Sequence, residues 1–389
     1  MKVAYILNST LATGGATKAF RTLLQGLMER GIEPFVVMPD KDGLYQELSS
    51  KGIDCYATIF RSNTYPYCRN WKELLMFIPR LIARIYVIRQ ARNRVCREIS
   101  RRNIDIIHTN VGVVDLGFYA SSKLGIPHIY HIREYADLDF GMHYFPTKQH
   151  FRKQLESSYS ICITRGIQRH HGLENSSRSR VIYDGIRPSL PAAPTQKFGN
   201  YLLYAGRLEY TKGLDILLEA YAQCQNNGHD LLPLQVAGGN PQADFMNKIH
   251  HYIIDHHLEA KVSLLGERSD IEQLMADARA LIVPSRHEGF GLCMPEAMFN
   301  RCLVIAHDTA GSKEQLDNGV QLTGREIALR FRTVDQLARH LLDVSSSMPD
   351  TYEEMTERSF LVVNQLYTTE STSNQVFQFY SEILGNHAC

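Results

Sequence analysis

Residues Ala280–Met298 read "ALIVPSRHEGFGLCMPEAM". Ala280–Val283 is an apolar run of strand length, and the loop after it carries Gly289 and Gly291, which let backbone N–H groups approach a ligand closely. Pro295 suits the first position of a following helix, where a missing N–H costs nothing. The stretch is therefore one strand–loop–helix unit. Folding accounts for its apolar residues but gives no reason for Glu288 and Glu296, the two carboxylates that bracket the loop.

The same unit recurs along the chain. In the first half "VAYILNS", "EPFVVMP", "DIIHTN", "PHIYHI", "YSICIT" and "SRVIYDG" are strand candidates, with helical patterns between several of them, such as 17–29 and 113–123. Buried apolar strands alternating with helices indicate parallel βαβ units covered on both faces. Residues 188–197, "PSLPAAPTQK", break the pattern and read as a linker. The alternation restarts with "YLLYAG", "PLQVAGG", "KVSLLG", "ALIVPS" and "CLVIAHD", and residues 333–386 read as helices only. Capping boxes at Ser269–Glu272, Thr333–Gln336 and Thr351–Glu354 are expected to open helices.

The expected fold class is α/β, with two Rossmann-like doubly wound domains, 1–190 and 191–368, facing across a cleft. A helical C-terminal tail ends in a segment, 369–389, that packs back on the first domain. Ligands of open parallel sheets bind beyond the carboxyl ends of the strands, so the chemistry belongs in the loops lining such a cleft.

A chain of 389 residues exceeds one ordinary core, in keeping with two domains. Its net charge of +1 on a background of 21% charged residues argues against a nucleic-acid binder. The eight cysteines show no CxxC spacing and read as reduced thiols of a cytoplasmic protein. Met1–Leu7 looks like a first strand rather than a signal peptide, and no apolar run reaches the roughly 18 residues of a membrane-spanning helix.

Three features follow second-half strands on one expected edge. Gly206–Gly213, "GRLEYTKG", sets Arg207 and Lys212 before a helix over 214–225. A guanidinium and an ammonium at a helix N-terminus make an anion site, and two solvated loop charges are the plain alternative. Gly238-Gly239 and Gly266-Glu267-Arg268 read first as tight turns. Glu296 is placed to accept hydrogen bonds from vicinal hydroxyls, or simply to favour a helix start. Phosphate near the cations and hydroxyls near the carboxylates would make a site for a sugar nucleotide.

Together these segments resemble the retaining glycosyltransferase family 4, of GT-B fold. That family's G-R-L-x-x-x-K-G is matched by Gly206–Gly213 and its E-G-F-G-L…E-A by Glu288–Ala297, with looser likeness running through Glu314. The resemblance implies that Arg207 and Lys212 bind the donor diphosphate, Glu288 the transferred sugar and Glu296 the ribose hydroxyls. The backbone of Gly289, Phe290, Gly291 and Leu292 would approach sugar and phosphate, and Arg268 falls where the family reads the base. In the first half the family has a Gly-Gly loop over donor and acceptor, matched by Gly14 and Gly15, and a histidine near the donor sugar, matched by His131. Taken alone, the glycines are an ordinary turn and His131 is a structural histidine. The run "AGSKE" at 310–314 departs from the two glycines usual there.

The activity implied is metal-independent transfer of a hexose, with retention, from a nucleotide-diphosphate sugar to a glycan or lipid-linked acceptor in cell-surface polysaccharide synthesis. The donor, UDP-linked in preference to GDP-linked, is a co-substrate, and no cofactor or metal is expected. Asp137-Leu-Asp139 is a spacing that 41 acidic residues produce by chance. The alternatives are a sugar-nucleotide epimerase, a phosphorylase, or a non-catalytic protein that binds sugar nucleotides or a membrane surface.

Residues 69–102 carry ten basic residues against two acidic. Leu81, Ile82, Ile85 and Ile88 form a helical apolar stripe, with Trp71 and Phe77 near its start. Such a helix suits an anionic membrane surface and a peripheral place on the inner face of the plasma membrane. A core-facing helix with a basic outer side is the alternative.

Overall fold

The computed structural model describes residues 1–11, 14–66, 71–195, 199–239 and 243–387; positions 69–70 of the basic segment and 196–197 of the linker lie outside these. The chain divides into two compact units: Met1–Arg187 with Thr369–Cys389, and Pro188–Thr368.

Unit 1 holds a seven-stranded sheet of β1 (Lys2–Ile6), β2 (Glu33–Met38), β3 (Asp54–Ala57), β4 (Ile106–Thr109), β5 (His128–Ile132), β6 (Tyr159–Cys162) and β7 (Ser179–Val181). Its order is β3-β2-β1-β4-β5-β6-β7, every pair parallel. Unit 2 holds β8 (Leu202–Ala205), β9 (Leu234–Ala237), β10 (Val262–Gly266), β11 (Ala280–Val283), β12 (Leu303–His307) and β13 (Leu329–Phe331), ordered β10-β9-β8-β11-β12-β13 and again parallel. Each is a doubly wound α/β sheet, as the alternation of apolar runs required.

Two strands go beyond the sequence expectation. β3 and β13 are edge strands of four and three residues, mostly half-buried. An edge strand has one unpaired flank and lacks the unbroken apolar run that marks a central one.

Helix starts also shift. Thr333 accepts from the Gln336 N–H as expected. Ser269 is passed over, because Asp270 precedes the helix Ile271–Asp277 and pairs with Arg268 at 2.6 Å. Thr351 lies inside the tight turn Pro349–Tyr352, and the helix begins at Glu353. Pro295 is the third residue of Cys293–Phe299 rather than the first. The N–H at that position also lacks an intrahelical acceptor, so proline still fits.

The last helix, Thr369–His387, belongs to unit 1. Val376, Phe379, Tyr380 and Ile383 share a core with Val3, Tyr5, Phe20 and Leu24. Gly26, in the last turn of the helix Gly15–Met28, sets how near the last helix comes. A Cβ there would stand 2.6 Å from Ser373 Oγ and 2.8 Å from Ser373 Cβ. Where the chain leaves and re-enters unit 1, Thr369 N–H bonds to Arg187 O at 2.9 Å. Gly26→Ala is therefore expected to destabilise unit 1 by about 1–3 kcal/mol through overpacking, read as a lower urea midpoint. An unchanged midpoint would rule out the close approach.

Unit 1 also buries four histidines. His108 lies between Tyr380 OH at 2.5 Å and His131 Nδ1 at 3.1 Å, and His128 between Thr109 Oγ1 and Ser158 Oγ, each at 2.9 Å. His171 Nε2 donates to Glu134 O at 3.1 Å. Burial pulls all four below the usual imidazole range, His128 to about 3 and His171 to about 4, with Arg133 adding repulsion at His108 and His131. Below pH about 6.5 the unfolded chain takes up protons that the native histidines refuse, so stability falls on acidification. Buried Glu134, raised to about 7 chiefly by burial, works the other way between its unfolded value and 7. The balance is an expected loss of about 3 kcal/mol in unfolding free energy from pH 7.5 to 5.5, measurable in urea. A flat profile over that range contradicts neutral burial.

Candidate functional site

The order of each sheet reverses once, between β1 and β4 in unit 1 and between β8 and β11 in unit 2. At such a switch point the connections on either side run to opposite faces and leave a crevice beyond the strand ends. In unit 2 the flanking loops are the two singled out in the sequence, 206–213 after β8 and 284–292 after β11.

Their contact depends on Gly213. It has φ +71°, and a Cβ there would collide with the Pro284 carbonyl. Glycine alone lets the turn Tyr210–Lys212 lie against the second loop. Arg286 fastens the two: its N–H bonds to Thr211 O at 2.9 Å, its guanidinium grips both Asp215 oxygens at 2.7 and 2.8 Å, and it stacks 3.8 Å from the Tyr210 ring centre. Lys212 Nζ thereby reaches Glu288 Oε1 at 2.7 Å, and Ser285 Oγ donates to the same oxygen at 2.9 Å. Glu288 is only 7% exposed.

The rest of the loop is held from behind. Gly311 N–H donates to Glu288 O at 3.0 Å, and a Cβ on Gly311 would lie 2.5 Å from Gly289 O. Gln315 Nε2 donates to Phe290 O, and the Phe290 ring is buried edge-on to Tyr367 at 5.2 Å. Gly291 takes φ +85°, and Leu292 is half-buried at the helix start. Ala310, at the start of the "AGSKE" run, adopts φ +45°, a left-handed conformation that its Cβ disfavours.

The other expected residues are placed as follows. Arg207 shares the first loop but pairs with Glu209 at 3.0 Å. Glu296 is half-buried in the first turn of Cys293–Phe299. Arg268, after β10, is exposed and grips Asp270. Gly238 is not a turn glycine. It sits beside Gly206, whose carbonyl a Cβ would strike. In unit 1, Gly14 and Gly15 open the helix at the switch point next to β1. His131 does not open to solvent: it is fully buried in β5, and among the described residues its Nε2 has no hydrogen-bond partner. Its Nδ1 lies 3.1 Å from His108 Nε2 and 3.4 Å from the guanidinium of Arg133, which is ion-paired to Asp184. Asp137 pairs with Lys148 at 3.1 Å and His170 at 2.7 Å. No three His, Cys, Asp or Glu side chains gather as a metal site among the described residues.

Ser285, Arg286 and Gln315 carry no functional signal of their own in the sequence. The first two stand inside the quoted stretch, yet only the fold shows that they orient Glu288 and Lys212.

Residues 191–360 match the family described as glycosyl transferases group 1, and residues 13–190 match glycosyltransferase family 4. The chain belongs to these GT4-type glycosyltransferases. Its similar relatives include an uncharacterized glycosyltransferase of Methanocaldococcus jannaschii, 26% identical over 57% of this chain and 61% of that protein. Another is the alpha-D-kanosaminyltransferase of Streptomyces kanamyceticus, 27% identical over 47% of this chain and 45% of that one. The chain thus spans about half the length of these relatives. Among solved structures, HepE of Anabaena in complex with UDP and glucose superposes with a TM-score of 0.73 over 98% of this chain and 99% of its own, at 19% identity. That likeness shows the fold, which is GT-B.

Lys212→Met is expected to cost unit 2 about 3–5 kcal/mol, because it strands a buried carboxylate. Lys212→Met with Glu288→Gln should recover most of that loss in urea unfolding. Equal stability of the single and double variants would show that the pair carries no charge coupling.

Proposed function

We propose that this protein is a retaining glycosyltransferase that moves a hexose from a UDP-sugar to a hydroxyl of a glycan or lipid-linked acceptor. One observation carries the reading. A cation suited to phosphate, Lys212, and a carboxylate suited to sugar hydroxyls, Glu288, stand 2.7 Å apart at the switch point of unit 2. A sugar joined directly to a diphosphate requires that adjacency. The family match and the UDP and glucose bound to the similar Anabaena protein support the choice of donor.

In this reading Arg207 and Lys212, before the helix Leu214–Asn226, stabilise the charge that grows on the departing β-phosphate. Glu288 holds the sugar hydroxyls, Glu296 the ribose and Arg268 the base, while the Gly289–Leu292 backbone lies along sugar and phosphate. The anomeric C–O bond to phosphate breaks as the acceptor oxygen bonds on the same face, and the acceptor proton passes to a phosphate oxygen. No metal ion takes part. Polysaccharide assembly is the setting such an acceptor implies.

The test combines binding and turnover. UDP at about 100 times its dissociation constant should raise the melting temperature of unit 2 by roughly 5–10 °C, with GDP and ADP giving less. UDP-glucose should be hydrolysed slowly without acceptor, and Arg207→Ala should cut that rate about 10²–10³-fold. A shift with UDP but no turnover of any UDP-sugar would leave a binding protein. Interconversion of UDP-sugars without release of UDP would make it an epimerase.

A further inference from the structure

In unit 1 the helices Trp71–Leu75 and Phe77–Ser100 follow one backbone path, with Met76 N–H bonded to Lys72 O and Arg80 N–H to Met76 O. The expected apolar stripe divides into two sides. Leu81 and Ile85 are half-buried, and Ile88, Ala91, Val95 and Ile99 are buried, forming the inner side. Opposite them Trp71, Leu74, Leu75, Ile78, Ile82 and Tyr86 are 59–71% exposed. The spacing 71, 75, 78, 82, 86 puts an outer apolar band on one helical face. Met76, between the two helices, is 53% exposed as well.

Further along, that face turns cationic. Arg89 and Arg97 are exposed on it, and Lys72 lies over the Trp71 ring at its start. Arg94 and Arg97 bond neutral oxygens, Thr58 Oγ1 and Asn93 O, which leaves their charge uncancelled. Arg92 and Arg102 are different: they turn inward to Asp115, and to Asp54 and Glu98. Residues 71–102 hold nine basic and two acidic side chains in a chain of net charge +1, so the remainder of the protein is net negative.

We propose that this face rests on an anionic lipid surface. The side chains from Trp71 to Tyr86 enter the head-group boundary, while Lys72, Arg89 and Arg97 meet lipid phosphates. An aromatic and aliphatic band continued by cations matches a layer that is apolar beneath and negative above. A second copy of the chain would bring the same positive segment to the contact and add like-charge repulsion. No described helix is long and apolar enough to cross a membrane, so the contact lies along the surface. The inference does not depend on the donor chemistry.

Co-sedimentation with vesicles of phosphatidylcholine alone, and of phosphatidylcholine with about a third phosphatidylglycerol, tests it. Wild type should partition at least about tenfold more strongly onto the anionic vesicles, and 0.5 M salt should weaken that binding. Ile78→Glu/Ile82→Glu and Arg89→Glu/Arg97→Glu should each lose about tenfold or more, with circular dichroism and melting temperature unchanged. Wild type that ignores anionic vesicles overturns the proposal. So does full binding by the Ile78→Glu/Ile82→Glu variant. A salt-stable dimer that this variant splits, without vesicle binding, assigns the face to a second copy instead.

Discussion

The contact between two loops at the switch point of unit 2 is what its candidate chemistry depends on. Parallel strands end on the same edge of a sheet, and the reversal between β8 and β11 leaves their loops side by side. Adjacency of strands does not by itself bring side chains to bonding distance. Gly213 does that by removing the Cβ that would strike Pro284, and Arg286 does it by clamping Asp215, Tyr210 and Thr211 to the second loop. Lys212 and Glu288 then meet because the backbone under each has nowhere else to go. The ion pair reports that packing as much as it stabilises it, since a buried pair is strongly felt only when one partner is lost.

Unit 1 uses polar burial differently. His108, His128, His131 and His171 are satisfied mostly by neutral hydroxyls, carbonyls and one another, and low dielectric keeps them uncharged. Tyr380, on the last helix, reaches through the core to His108 and stands 3.4 Å from Tyr5 OH on β1. The helix that closes the chain is thus part of the same buried network as the first strand. Such a network ties distant segments into one cooperative unit, even though His131 Nε2 and His171 Nδ1 have no hydrogen-bond partner among the described residues.

Much of the fold was legible because burial on both faces forces central parallel strands into unbroken apolar runs, such as Val36–Met38 and Ala280–Val283. Lys212 and Glu288 stood out as charges that follow such runs without a packing reason, and the fold brings these two together, whereas Arg207 pairs with Glu209 and Glu296 lies in the next helix. Two of the four edge strands, β3 and β13, were not legible, since they are short, mostly half-buried and carry no unbroken apolar run. Two of three capping boxes failed where a neighbour competed: the Arg268 guanidinium drew Asp270, and a tight turn absorbed Thr351. The basic segment 69–102 read as a single apolar stripe, although the helix carries one inward and one outward.

Sequence alone determined the order of elements, the α/β class, and which loops carry charge without a packing reason, because periodicity and local backbone preference are properties of neighbouring residues. Tertiary structure decided which of those charges touch. It paired Lys212 with Glu288 across 76 positions, left Arg207 with Glu209, and sealed His131 inside a sheet. Such outcomes depend on close approaches between segments remote in the chain. A missing Cβ or a stacked guanidinium fixes them, and neither leaves a periodic trace.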